Sequence, residues 1–373
     1  MCGITGIISF SGEKLDSTIA LRMANKIEHR GPDDEGYLLG NSESGTFKSV
    51  RGPNTSNKVT VSKLPYSPTG NIEHPSSDCH NIVLAHRRLA IIDLSEAGHQ
   101  PMCNPEKTIW IVHNGEVYNF LEIRTELQQL GHVFYSNTDT EVILHAYQEW
   151  GSKCVHKFIG MWAFVIWDTT KKVVFCSRDR FGIKPFFYFW NGNTFIFGSE
   201  IKAVLASQRV KAIPNEPIIH DYLVYSRIDH SEKTFFEGIN QLPGGCAIEL
   251  NLESRTISQY RYYDIPLGTT NLDLTPSEYT SQFFDIFEDS VRLRLISDVP
   301  VGACLSGGLD SSAIVCMMNN LIKRGQRDTT TLQKVFSARF KDFEHDEGKY
   351  IDAVVSHTGV NAYSVQPTDE SLI

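Results

Sequence analysis

Apolar and polar positions alternate along this chain in two different rhythms. After MCG, the ITGIISF stretch is mostly apolar and predicts a strand over 4–10. LDSTIALRMANKIEHR (15–30) carries apolar residues at helical spacing and stops where Gly31 and Pro32 follow. From 41 to 80 the chain is rich in Ser, Asn, Pro and Gly with little periodicity, which predicts a long surface insertion. NIVLAHRRLAIID (81–93) reads as a strand, and TIWIVHNG (108–115) as a strand ending in a tight turn at Asn114-Gly115. Two helical patterns follow, 119–131 and 139–151, each stopped by glycine. MWAFVIWD, KVVFCSRD, PFFYFW and TFIFGSE (161–200) then predict a largely antiparallel sheet system. The stretch 211–270 holds one helical pattern, a turn at LPGG (242–245) and a hairpin-like CAIELNLESRTISQY (246–260), and reads as a connecting segment.

A second rhythm starts near 271. PSEYTSQFFDIFEDSVRLRLIS (276–297) predicts a long amphipathic helix, DVPVGACL (298–305) a strand, and SGGLDSSAIVCMMNNLIKRG (306–325) a glycine turn entering a helix. KVFSARF (334–340) is a further strand and EGKYIDAVVSHTG (347–359) a further helix. Strand and helix in alternation predict a parallel α/β sheet. With only about two such strands before Ile373, this domain is expected to be incomplete.

Composition sets limits on function. At 373 residues the length suggests two or three domains, and 41% hydrophobic residues are enough for real cores. A net charge of −9 offers no basic field for nucleic acid or an anionic membrane surface, so any phosphate must be held locally. The eight cysteines (2, 79, 103, 154, 176, 246, 304 and 316) form no CxxC and no Cys/His cluster. That argues against zinc and disulfide scaffolds and favours a reducing, cytoplasmic setting. No basic stretch precedes an apolar one at the N-terminus, and no apolar run approaches the length of a membrane span.

Three stretches carry candidate chemistry. SGGLDSS (306–312) joins an apolar strand to a helix. Its glycines let backbone approach an anion, Ser306, Ser311 and Ser312 can donate, and Asp310 suits Mg²⁺ bridging to phosphates. It is no Walker A loop, because GxxxxGK[ST] is absent. Cys2 follows the initiator methionine directly; once Met1 is removed, one residue supplies both a thiol nucleophile and an α-amine base. Of Arg87 and Arg88, one can face inward and clamp a carboxylate. Asn114 with the Gly115 N–H can form an oxyanion hole, and Glu116 and Asp139 suit an amino-acid substrate. Each of these also has a plain structural reading: a surface Arg pair, a turn, an N-cap.

Taken in order, MCGITG, HRGPDDEG, AHRRLAIID, NGEVYN, NTDTE, GMWAFVIWD, SRDRFGIKPF, GSEIKA and LSGGLDSS resemble the glutamine-hydrolysing asparagine synthetases, from residue 2 to about 365. The resemblance implies a four-layer αββα N-terminal-nucleophile glutaminase domain over 1–210. A connecting segment (211–270) follows, and then the first part (271–373) of an α/β parallel-sheet ATP-pyrophosphatase domain. It implies that Cys2 attacks the glutamine amide with its own amine as base and that Asn114 and Gly115 hold the oxyanion. Arg88, from its place before Leu89, clamps the carboxylate, while Glu116 and Asp139 hold the amino end. In the second domain Leu305, Ser306, Gly307, Gly308, Asp310, Ser311, Ser312 and Ser337 hold ATP, with Mg²⁺ reached by Asp310 through pyrophosphate. Aspartate is adenylated and pyrophosphate released, and ammonia arriving by an internal channel displaces AMP. The later Ser-Gly-Glu and Asp-Glu synthetase motif of the family is absent. Relatives of this layout also amidate sugar or peptide carboxylates. The acceptor therefore stays open, as do a glutaminase acting alone, a non-catalytic glutamine or nucleotide sensor, and a homodimeric assembly.

Overall fold

A computed structural model describes residues 1–12, 14–73, 80–268, 274–325, 333–340 and 346–368; Cys79 and the rest of 74–79 lie outside the described residues. The chain divides into two compact units, Met1–Pro266 and Leu267–Ile373.

The strands of the first unit are β1 (Gly3–Ser9), β2 (Asp34–Gly40), β3 (Phe47–Arg51), β4 (Gly70–Asn71), β5 (Ile82–Arg88), β6 (Met102–Cys103) and β7 (Ile109–Val117). They continue with β8 (Gly160–Asp168), β9 (Val173–Arg178), β10 (Phe187–Trp190), β11 (Thr194–Gly198), β12 (Ile239–Gln241), β13 (Cys246–Asn251) and β14 (Thr256–Arg261). Its helices are α1 (Ser17–Asn25), α2 (Asn57–Thr60), α3 (Phe120–Gln129), α4 (Asp139–Trp150), α5 (Ile201–Ala206) and α6 (Glu216–Tyr225). Among the described residues the strands form two sheets, ordered β12-β10-β11-β1-β5-β2-β3-β4 and β14-β13-β9-β8-β7-β6. Every pairing is antiparallel except β3 with β4.

The sheets meet through β1, β5 and β7; α1 and α5 cover the first sheet, and α4, backed by α3, covers the second. This is the four-layer αββα arrangement. Side chains alternate across β5, and the alternation sorts its residues. Val83 and Ala85 join Ile19, Met23 and Ala24 of α1 in one core. Arg87 points the same way, donating to the Ala24 carbonyl (3.3 Å) and pairing with Glu35 (2.6 Å) while almost wholly buried. His86 points between the sheets, with Nε2 3.0 Å from the His113 carbonyl.

Three expectations change. The 41–80 segment is no simple surface insertion: β3 and β4 extend the first sheet, and Val50, Val59, Tyr66 and Ile72 are buried. These apolar residues are single and widely spaced among polar ones, so no periodicity marks them in the sequence. Asn114-Gly115 is no turn, because both lie inside β7 opposite Ala163 and Trp162. A Cβ at Gly115 would stand 2.7 Å from the Trp162 Cα and from His113 Nε2, so close strand approach is what calls for glycine there. Within 211–270, β12 joins the first sheet and the β13–β14 hairpin forms the edge of the second.

The second unit contains α7 (Pro276–Arg294), β15 (Gly302–Cys304), α8 (Leu309–Lys323), β16 (Lys334–Ala338), α9 (Gly348–Thr358) and β17 (Asn361–Val365). Thr275 and Glu278 close a capping box on α7. The three strands run parallel in the order β15-β16-β17, one strand more than the apolar pattern marked. Leu305, Val315, Val335, Ile351 and Val360 form a small core beneath them.

Candidate active site

A cavity of about 40 Å³, room for a few waters, opens at the N-terminal end of the first unit. Cys2, Arg88, Asn114, Gly115, Glu116 and Asp139 all line it. These six come from the start of β1, the ends of β5 and β7, and the first turn of α4.

Cys2 is held against the turn after β5: its Sγ accepts from the Leu89 amide (3.3 Å) and lies 3.5 Å from the Leu89 carbonyl. Arg30 Nε donates to the Cys2 carbonyl (3.0 Å). Burial pushes the thiol above its ordinary value, opposed by the Leu89 amide and by the positive charges of the N-terminus, Arg88 and Lys184. The α-amine of Met1 is held below its ordinary value, chiefly by burial. With Met1 in place the Cys2 nitrogen is an amide and cannot act as a base; removing Met1, which forms part of the cavity wall, frees it.

Arg88 lines the cavity with its guanidinium held by two backbone carbonyls, donating to Ser95 (2.8 Å) and Asp93. A side chain at Gly98 would run into this guanidinium. Asp93 ties this loop to the far wall by accepting from the Asn137 amide (2.8 Å). Arg87, on the opposite face of β5, takes no part in the cavity.

Asn114 is wholly buried, and among the described residues neither its Oδ1 nor its Nδ2 has a hydrogen-bond partner. Buried amides rarely go unsatisfied, so an orphaned pair beside a thiol marks a place built for a ligand. Asp139 accepts from the Val117 amide (2.9 Å). Its helix is capped by Thr138, which accepts from the Glu141 amide, while Glu141 takes the Tyr135 and Ser136 amides. Burial pushes the Asp139 carboxyl up to about 7; the Val117 amide opposes this and Glu116 adds to it.

Lys184, Gln100, His113 and Thr140 also line the cavity, and reasoning from the sequence named none of them as site residues. Gln100 Oε1 accepts from the His113 amide (2.7 Å), and the His113 ring lies 3.1 Å from Thr140 Oγ1. Burial pushes the His113 ring down to about 3. Lys184 lies in the SRDRFGIKPF motif, which was its only sequence signal.

In the second unit Leu305, Ser306 and Ser337 line a separate cavity of about 490 Å³. Ser337 Oγ donates to the Leu305 carbonyl (2.7 Å), and Ser306 Oγ lies 3.0 Å from Ser311 Oγ. Gly307 turns the chain with φ +96°, and Gly308 caps α8 without a side chain, which leaves the first amides of the helix open. Asp310 is exposed in that first turn with Ser311 and Ser312. One carboxylate beside open amides fits a Mg²⁺ that takes its other ligands from phosphates and water. Among the described residues no three metal-ligating side chains cluster, and no helix is long and apolar enough to cross a membrane.

The four-layer unit with a cysteine at its mouth, followed by a parallel α/β unit, defines a glutamine amidotransferase domain joined to a synthase domain. Family comparison agrees: the glutamine amidotransferase domain model matches residues 72–263 and the asparagine synthase model matches 282–373. "Putative asparagine synthetase (glutamine-hydrolyzing) 2" of Methanocaldococcus jannaschii is 37% identical over 96% of this chain and 63% of its own length. Asparagine synthetase (glutamine-hydrolyzing) 3 of Bacillus subtilis is 31% identical over all of this chain and 55% of its own. The chain belongs to the glutamine amidotransferase domain family, is similar to glutamine-hydrolysing asparagine synthetases, and spans under two thirds of the length of these relatives. A solved glutamine phosphoribosylpyrophosphate amidotransferase from B. subtilis, complexed with ADP and GMP, aligns at TM-score 0.49 and 15% identity, covering 99% of this chain and 69% of that one.

Proposed function

We propose that the first unit hydrolyses glutamine at Cys2 and that the second begins the ATP-dependent half of an asparagine synthetase. The observation that carries the first claim is the Asn114 amide, buried without a partner in the wall of the same cavity as Cys2. A glutamine seated there directs its α-carboxylate to Arg88 and its ammonium to Asp139 and Glu116. The Cys2 thiol attacks the side-chain amide carbon and passes its proton to the α-amine. Asn114 Nδ2 and the Gly115 N–H receive the developing oxyanion. Collapse expels ammonia, which carries away the proton, and water then releases glutamate from the thioester.

The asparagine synthase match, together with Leu305, Ser306 and Ser337 lining one cavity, supports ATP as the second substrate. The open amides after Gly308 would take its phosphates. Mg²⁺ near Asp310 would neutralise phosphate charge. The relatives' name, asparagine synthetase, supports aspartate as the acceptor, adenylated on its β-carboxyl before ammonia displaces AMP.

Glutamate release by the full chain tests the first half. Cys2→Ala should abolish it, and hydrolysis surviving in that variant would overturn the nucleophile. Pyrophosphate release with Mg-ATP and ammonium should follow aspartate; release that follows a different carboxylate would overturn the acceptor.

A further inference from the structure

The SRDRFGIKPF stretch (177–186) commits two buried charges to one loop. Arg178 donates to three carbonyls: Lys184 (2.7 Å), Leu242 (2.6 Å) and Gly182 (2.6 Å). Asp179 accepts from the amides of Phe181 (3.1 Å), Ile183 (3.0 Å) and Lys184 (2.9 Å), and weakly from Trp162 (3.3 Å). Gly182 takes φ +66° to make the turn. Lys184 is therefore gripped at both its N–H and its C=O. Its side chain is 1% exposed and lines the Cys2 cavity. Among the described residues its Nζ makes no hydrogen bond or ion pair; the hydrogen bonds of Lys184 are through its backbone. A lysine set in the wall of the Cys2 cavity by a loop held at both of its backbone groups implies a use for the charge.

We propose that Lys184 is a positioning charge for the Cys2 nucleophile: its ammonium stabilises the thiolate and keeps the neighbouring α-amine unprotonated, ready to take the thiol proton. The inference rests on Cys2 being the nucleophile. The electrostatics of the cavity agree with it. Burial is the largest influence on the Cys2 thiol and on the amine of Met1, raising the first and lowering the second, and the Lys184 charge lowers each of them. A lone cation on the cavity wall acts on both groups at once. In the attack the Sγ–carbon bond forms while the S–H proton moves to the α-amine. As the carbon–nitrogen bond breaks, that proton leaves with ammonia, and water later cleaves the thioester and restores the thiol.

The test uses the full chain without glutamine. Iodoacetamide labelling of Cys2 is followed against pH by mass spectrometry of the N-terminal peptide, so labelling of other cysteines does not interfere. Lys184→Met should raise the midpoint of labelling by about one pH unit or more. It should also move the acid limb of kcat for glutamine hydrolysis in the same direction, with KM little changed. Lys184→Arg, which keeps the charge, should retain the wild-type midpoint to within a few tenths. If Lys184→Met does not accumulate as folded protein, Lys184→Gln carries the same expectation. An unmoved midpoint with a raised KM would overturn the proposal and make Lys184 a substrate contact. Equal shifts in the Met and Arg variants would overturn it in favour of packing. Failure of the underlying reading looks different: wild-type Cys2 would label without loss of hydrolysis.

Discussion

Asp139 offers a prediction that can be worked through. Its carboxyl titrates at about 7 because burial penalises the charge. Binding the ammonium of glutamine requires the ionised form, so below that pH binding must expel a proton. With a midpoint near 7, about one tenth of the sites are ionised at pH 6 and about nine tenths at pH 8. Glutamine affinity should therefore fall about tenfold between pH 8 and pH 6, a loss of about 1.4 kcal/mol. Calorimetric titration of the Cys2→Ala chain, which leaves glutamine intact, reads both affinity and proton release in buffers of differing ionisation enthalpy. Close to one proton should leave at pH 6, about half of one at pH 7 and almost none at pH 8. Asp139→Asn should bind glutamine weakly and lose this pH dependence. The effect on the fold has the opposite sense. A carboxyl whose folded value lies above its unfolded one stabilises the protein while protonated, so stability falls as pH rises from about 4 through about 7. Asp139→Asn should lack that decline, as chemical denaturation at pH 5 and pH 8 would show. Flat affinity from pH 6 to pH 8 with no proton released, or an Asn variant that binds like the parent, would refute the reasoning.

Two further predictions concern neighbouring residues. Asn114→Ala should lower kcat for glutamine by about 10²–10³ with little change in KM. Its melting temperature should not drop, because the amide has no protein partner to lose; full activity in this variant would remove Asn114 from the oxyanion site. Glu35→Ala should destabilise the first unit by about 3–5 kcal/mol, since it strands the Arg87 charge in the core. Glu35→Leu with Arg87→Met should recover most of that in denaturant titrations, and a double variant no better than the single would contradict it.

The sequence was most legible where local chemistry and structure coincide. Strands dense in apolar residues, such as β5 and β8, and the helix opening at Asp139 stand out by pattern alone. Arg87 and Arg88 could not be separated by pattern alone, because the choice depends on which face of β5 meets α1. Asn114-Gly115 looked like a turn because that pair usually forms one; here the glycine serves close strand approach inside β7. β3, β4 and β12 are short, so their apolar signal is thin. All five residues of β17 are exposed, which leaves a strand without an apolar pattern. Lys184 was invisible as a site residue because its place comes from Arg178 and Asp179 holding a loop, and no periodicity encodes that.

The measurement that tests the account most directly is mass spectrometry of the chain quenched in acid during glutamine turnover. The account predicts an N-terminal peptide that begins at Cys2, without Met1, and carries a γ-glutamyl group on its sulfur. Active enzyme that retains Met1, or a glutamyl group found on any other residue, would contradict it.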